Sequence, residues 1–163
     1  MLIMLLNESY RLQGNWDTIA IAADNNDKIK EEGPMRLYVR ELSCNEDCSE
    51  MGVTFYVNAN NQCSKTKVIG YKQADGTYRT QYASKSYYTV GHLKFTWRST
   101  IVLKDLNNSN KMSLNSFPMG KFVSRKSKHL TPEQHEKLVE YAREKKIPEE
   151  NIHNVLATDT CPK

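Results

Sequence analysis

Between Asn15 and Tyr82 the hydrophobic positions alternate with polar ones. In M-R-L-Y-V-R-E-L, Met35, Leu37 and Val39 share one face, and Arg36, Tyr38 and Arg40 share the other. V-T-F-Y-V puts Val53, Phe55 and Val57 together, and T-Y-R-T-Q-Y separates Tyr78, Thr80 and Tyr82 from Arg79 and Gln81. W-D-T-I-A-I-A and T-K-V-I-G-Y are β-branched and apolar in near alternation. A period of two predicts antiparallel strands with one face buried and one solvated. Turn residues separate the runs: N-N-D, E-E-G-P, C-N-E-D-C, N-A-N-N-Q and Q-A-D-G. The Asp-Gly of the last is a strong hairpin signal, because it tolerates the positive φ of tight turns. Past Ala83, L-K-F-T-W, T-I-V-L-K and K-M-S-L-N-S-F continue the strand texture, the last with Met112 and Leu114 on one side. About eight strands are predicted.

Then the period changes. T-P-E-Q-H-E-K-L-V-E-Y-A-R-E-K-K, residues 131–146, predicts a helix. Thr131 stands as N-cap, Pro132 at the first helical position and Gln134 where a capping box needs it. Leu138, Val139 and Ala142 make the apolar stripe, with Tyr141 at its edge, and Ile147-Pro148 ends the helix. In the tail, P-E-E-N-I-H-N-V-L predicts a short second helical turn that brings Ile152, Val155 and Leu156 onto the body. Many strands and one late helix fit an all-β fold: an eight-stranded antiparallel up-and-down β-barrel with one C-terminal α-helix packed outside. Such a barrel has room for one small ligand. The organisation expected is a single domain over residues 1–163, with an N-terminal arm (1–11), the barrel (12–125), the helix (131–146) and a tail (147–163).

Composition narrows the function by exclusion. No repeat of 20–50 residues is present, so solenoids and propellers are set aside. The net charge of +4 is too mild to indicate nucleic-acid binding, and it is locally concentrated at Lys121, Arg125, Lys126 and Lys128. No run is long enough to span a membrane, and the opening M-L-I-M-L-L is short for a secretory core and lacks a basic flank. His92, His129, His135 and His153 are scattered, with no nucleophile in a pairing position. With no acid–base pair and no Gly-rich phosphate loop, the expectation is no enzyme, no metal and no cofactor. The segment Lys121–His129 reads as a solvated loop; sulfated sugar, membrane or an acidic receptor patch are the functional alternatives. Asn7 and Asn107 open N-glycosylation sequons.

The four cysteines carry the sharpest chemistry. S-C-N-E-D-C-S sets Cys44 and Cys48 in a polar segment between two apolar runs, and Cys63 and Cys161 lie far apart. Metal binding, redox chemistry and disulfides all enter. Zinc would want a second close Cys or His pair. A redox pair more often has two intervening residues. Four cysteines allow three disulfide pairings.

Several stretches carry a resemblance. They are G-N-W-D-T-I-A-I-A-A-D-N from Gly14 to Asn25, then E-E-G-P-M-R-L-Y-V-R, then the Cys-x-x-x-Cys itself. C-S-E-M-G-V-T-F-Y-V-N-A-N-N-Q-C-S-K-T-K-V-I-G-Y and the end L-T-P-E-Q-H-E-K-L-V-E-Y-A-R-E-K-K-I-P-E-E-N-I-H-N-V-L-A-T-D-T-C-P add to it. Together they resemble the lipocalin family, and within it the odorant-binding subgroup, over residues 12–82 and 119–162. The family's second motif, Thr-Asp before a Tyr, is not visible in S-K-S-Y-Y-T-V-G-H-L-K-F-T-W-R-S, so the strands there rest on alternation.

The resemblance implies the pairs Cys44–Cys48 and Cys63–Cys161. The first closes a very small loop. The second closes one of about a hundred residues, for which chain entropy gives about 4–5 kcal/mol as an upper figure. Two disulfides imply an oxidising compartment, hence a secreted, extracellular protein whose signal peptide is not present in this version of the chain. The resemblance also implies that Trp16 sits at the closed end of the barrel beneath a basic residue, Lys121, with Arg125 as the rival. A cation over the indole contributes about 0.5–2 kcal/mol. Met35, Leu37, Val39, Val53, Phe55, Val57, Val68, Tyr78, Tyr82, Leu103 and Leu114 are the candidate cavity walls; the plainer alternative is solid core. Tyr82 matches an aromatic position at the family's pocket, where a ring packs and a hydroxyl orients. The function implied is a carrier of small hydrophobic volatile molecules, odorants or pheromones, as a monomer or weak homodimer. The alternative is a protein signal that engages a receptor through its surface, with ligand optional.

Overall fold

The computed structural model describes residues 13–84, 87–96, 100–105, 111–118 and 132–163, with backbone alone between 82 and 118 and at 134, 137 and 141. The N-terminal arm, both sequons, Thr131 and the basic segment from Lys121 to His129 lie outside the described residues.

Each alternating run forms a strand. They are β1 (Gly14–Ala23), β2 (Tyr38–Cys44), β3 (Glu50–Ala59), β4 (Gln62–Lys72), β5 (Tyr78–Ser84), β6 (Tyr87–Thr96), β7 (Thr100–Asp105) and β8 (Lys111–Pro118). Neighbours pair antiparallel in chain order from β2 to β8, β8 pairs with β1, and β1 pairs back onto β2 through Gly14 and Asn15. That last pairing closes an eight-stranded up-and-down barrel.

Two tight turns follow from their residues. Between β4 and β5, Gly76 takes φ 85°, and Asp75 accepts hydrogen bonds from the Thr77 amide at 3.0 Å and its hydroxyl at 2.6 Å. Between β3 and β4, Asn60 and Asn61 both take positive φ, as a two-residue hairpin loop requires.

Three expectations are corrected. The strand drawn from Met35 begins only at Tyr38. Residues 26–36 instead fold over themselves, with the Met35 amide donating to Lys28 O at 2.8 Å and Arg36 N to Gly33 O at 3.2 Å. β6 begins at Tyr87, earlier than its apolar run suggested. The tail forms the expected short helical turn, a 3₁₀ turn at Glu149–Asn151, but goes on as a ninth strand, β9 (Ile152–Asn154), on β1. β1 makes room for it by a bulge at Ile19, with Val155 N donating to Ile19 O at 2.8 Å.

The helix, α1, runs Pro132–Glu144. Leu138, Ala142 and Ile147 pack with Ala20 and Ala22 of β1, both fully buried, whose small side chains let the helix approach. It ends where Lys146 turns left-handed (φ 59°). Lys146 N then bonds Arg143 O at 3.1 Å and Ile147 N bonds Ala142 O at 2.7 Å, which satisfies the last carbonyls.

Candidate functional site

Residues directly opposite in paired strands share a face, so the register draws the inner wall. Val39 faces Phe55 and Phe55 faces Thr66; Leu42 faces Val53 and Val53 faces Val68; Cys44 faces Met51 and Met51 faces Gly70. Val39, Val53, Phe55 and Tyr78 are buried in one apolar cluster, against which Val57 and Val68 are partly buried. Met35 and Leu37 join this cluster from the β1–β2 connection, with Ile29, rather than from a strand. For the remaining wall candidates only the register is defined. Tyr82 stands opposite Thr89; Leu103 lies between Leu93 and Met112; Leu114 lies between Ile101 and Ile21. Their side chains are outside the description.

Sequence reasoning missed Ile21, Ala23, Ile29, Leu42 and Met51, all buried in the same cluster. Leu42 escaped because a bulge at Arg40 shifts β2 by one residue, so that Val39 and Leu42 share a face. Met51 needed only one more step of the alternation that found Val53.

The two ends differ. At one, Trp16 (2% exposed), Leu42, Met51 and Tyr78 pack beneath the turn that the Cys44–Cys48 disulfide closes. The Tyr78 hydroxyl donates to Cys48 O at 2.8 Å, and Gly70 leaves space for its Cβ. Tyr78 therefore belongs to the packed end, with its hydroxyl already bonded to backbone. Within that turn, Asp47 is held below the usual carboxylate range by hydrogen bonds from the Ser49 side chain and amide. At the other end, burial fades from Gly70 through Val68 to exposed Ser64 along β4. The β1–β2 connection lies over this end and is fastened to the β3–β4 turn, where the Asn60 amide donates to Glu32 Oε1 at 2.8 Å.

Two hydroxyls of the described wall are internally engaged. Thr18 Oγ1 accepts from Val39 N at 2.9 Å, and Thr80 Oγ1 donates to Ile69 O at 3.2 Å. The described interior therefore meets a guest mainly with hydrocarbon.

The tail covers the outer face of β2, where alternation had predicted solvent. Arg36 is 8% exposed and donates to Ile29 O, the Tyr38 hydroxyl and Thr158 Oγ1. Arg40, on the bulge, grips Asp159 with both terminal nitrogens at 2.8 and 2.7 Å, reaches Pro162 O with Nε at 2.8 Å and lies 5.4 Å from the Tyr56 ring centre. Burial opposes the Arg40 charge, but Asp159 and Asp17 outweigh it and raise its pKa above the ordinary value. Cys161, beside this clamp, is bonded to Cys63.

His153 of β9 places Nε2 2.6 Å from Asn26 Oδ1. Burial, and then the positive charge of Arg36, hold its pKa below the usual 6.5. The unfolded chain thus binds the proton more readily than the fold does. Stability from this site is fully present above about pH 6.5 and falls on acidification through and below that value. Urea midpoints measured from pH 8 to 5 should decline, and His153→Gln should flatten the decline.

Among the described residues no cluster of His, Cys, Asp or Glu is placed to hold a metal, and no helix is long and apolar enough to cross a membrane.

A closed antiparallel barrel, packed at one end, apolar within and flanked by a single helix, defines a calyx-type binding protein. The chain belongs to the lipocalin family: the model described as "Lipocalin / cytosolic fatty-acid binding protein family" matches residues 13–159. An odorant-binding protein of Phodopus sungorus is 63% identical over 162 residues, 96% of this chain and 100% of that one. Aphrodisin of Mesocricetus auratus is 49% identical over 156 residues, 93% of this chain and 87% of that one. The crystal structure of aphrodisin, titled a sex pheromone from female hamster, has a TM-score of 0.75 at 46% identity and covers 93% of this chain and 99% of its own. Bovine odorant-binding protein in complex with undecanal has a TM-score of 0.57 at 25% identity, with 94% of each chain covered.

Proposed function

We propose that this protein is a carrier, not an enzyme, which takes small hydrophobic volatile molecules into the barrel. One observation carries the reading most: the described inner wall is mainly hydrocarbon, and the hydroxyls of Thr18 and Thr80 beside it already have protein partners. A guest would then be held mainly by burial of apolar area, at about 25 cal/mol per Å², and selected by size rather than by hydrogen bonds. Val39, Val53, Phe55, Val57, Val68, Met35 and Leu37 would form the wall, with Tyr82, Leu103 and Leu114 completing it. Tyr78 and Trp16 would serve as the plug, with Lys121 over the indole. Likeness to an odorant-binding protein, to aphrodisin and to a bovine relative solved with undecanal supports the class of ligand. Two disulfides support work in an oxidising, extracellular setting, reached by secretion, as a monomer or weak homodimer.

The test is titration of the oxidised chain with a fluorescent apolar probe, followed by competition with volatile alcohols, aldehydes and ketones. Saturable one-to-one binding, displaced at micromolar concentration, is expected. A cooperatively folded chain with no saturable binding would have a filled interior, and the carrier reading would fall.

A further inference from the structure

One register row across β5 to β8 contains basic residues and nothing else. Arg79 stands opposite His92, His92 opposite Lys104, and Lys104 opposite Lys111. Exposed Tyr71 extends the row onto β4, opposite Arg79, and Glu50 of β3, opposite Tyr71, ends it. The row is in the phase opposite to Leu93 and Leu103, so it belongs to the outer face of the sheet. From β4 to β8 the strands hold seven Lys and Arg against one acid, Asp105. Asp105 is in the phase of Leu103, so no carboxylate of these strands shares the row. This excess is larger than the +4 of the whole chain.

The arrangement has a cost. Lys104 and Lys111 stand directly opposite, and like charges so placed on neighbouring strands are destabilising; a face shaped only by solubility intersperses both signs. We propose that this row is a docking face for a sulfated polysaccharide. Strands lie about 4.8 Å apart, so the four basic positions span about 14 Å. A flexible linear polyanion can follow that line over the convex wall of a barrel and relieve the repulsion along it. A flat bilayer would meet a convex wall on fewer strands, and an interfacial binder would also present apolar anchors.

The test uses the full oxidised chain and labelled heparin, read by fluorescence anisotropy over a range of salt. The triple variant Arg79→Gln, Lys104→Gln, Lys111→Gln should bind about tenfold or more weakly and show a shallower salt dependence. Lys30→Gln, Arg143→Gln, Lys146→Gln makes the same change in net charge at exposed sites elsewhere, and should lose less than about threefold. Equal losses in the two triples would reduce the effect to net charge and overturn the proposal. So would no heparin binding by the parent at low salt, or binding to phosphatidylserine vesicles in its place. Neutralising the row removes the like-charge pair of Lys104 and Lys111, so its urea midpoint should hold or rise. Should the triple variant not fold, Lys104→Gln alone is expected to weaken heparin binding about threefold, and an unchanged affinity there would count against the row.

Discussion

Replacing Cys63 and Cys161 together by serine is expected to remove about 4–5 kcal/mol of stability. The bond joins residues 98 apart, so its loss releases about three-fifths of the chain in the unfolded state. A domain of this kind has about 5–15 kcal/mol in total, so the variant would stand near its unfolding midpoint under mild conditions. The same bond fixes the tail against β4, and the tail is the roof over Arg36, Tyr38 and Arg40. Urea unfolding of parent and variant gives the difference. A loss below about 1 kcal/mol would mean that the noncovalent clamp already confines the tail, since the loop-entropy gain presumes a free end. Serine at Cys44 and Cys48 should cost much less, because that loop is very short.

The second large effect is expected at Arg40. The Asp159 side chain is fully buried and that of Asp17 is 6% exposed. Arg40→Met keeps much of the packing over Tyr56 but leaves two buried carboxylates without their guanidinium. Breaking one side of a buried pair costs about 3–5 kcal/mol. Lys163, half exposed, stays 2.9 Å from Asp17 and 3.6 Å from Asp159 and compensates in part, so about 3 kcal/mol is expected here. Arg40→Lys should recover only part, because an ammonium cannot span both oxygens of Asp159. Adding Asp159→Leu to Arg40→Met should restore some stability, since one stranded charge leaves with it. If the double variant is no more stable than the single one, the energy lies in packing of the tail rather than in its charge.

The strand order, the helix and the hairpin turns were legible because each is written locally. Alternation marks β3, Asp-Gly marks the turn from β4 to β5, and Thr-Pro-x-Gln marks a helix start. The inner wall was legible wherever the period ran unbroken, as from Val53 to Val57. It failed at the bulges. One extra residue at Arg40 exchanges the faces of β2, and no local pattern announces it. The fate of Arg36 and Tyr38 was also hidden. They read as a solvent face, and only a tail more than a hundred residues away turns that face into interior. β9 escaped for the same reason: Ile152–Asn154 is too short to show a period and becomes a strand only against the bulged β1.

β1 has a further consequence, for the order in which the molecule can assemble. It precedes every other described strand, yet its long partner, β8, and the short β9 that pairs with it are the last to be made. Until residue 111 and beyond have been synthesised, it has only the two-residue contact with β2 to rest on. Its apolar face and most of both its edges then wait unpaired while the hairpins of β2 to β7 form locally. Long-range pairings of this kind fold slowly and leave strand edges open to other chains. The seam that shuts the barrel is therefore expected to be the slow step, and the nascent chain most open to aggregation before it forms.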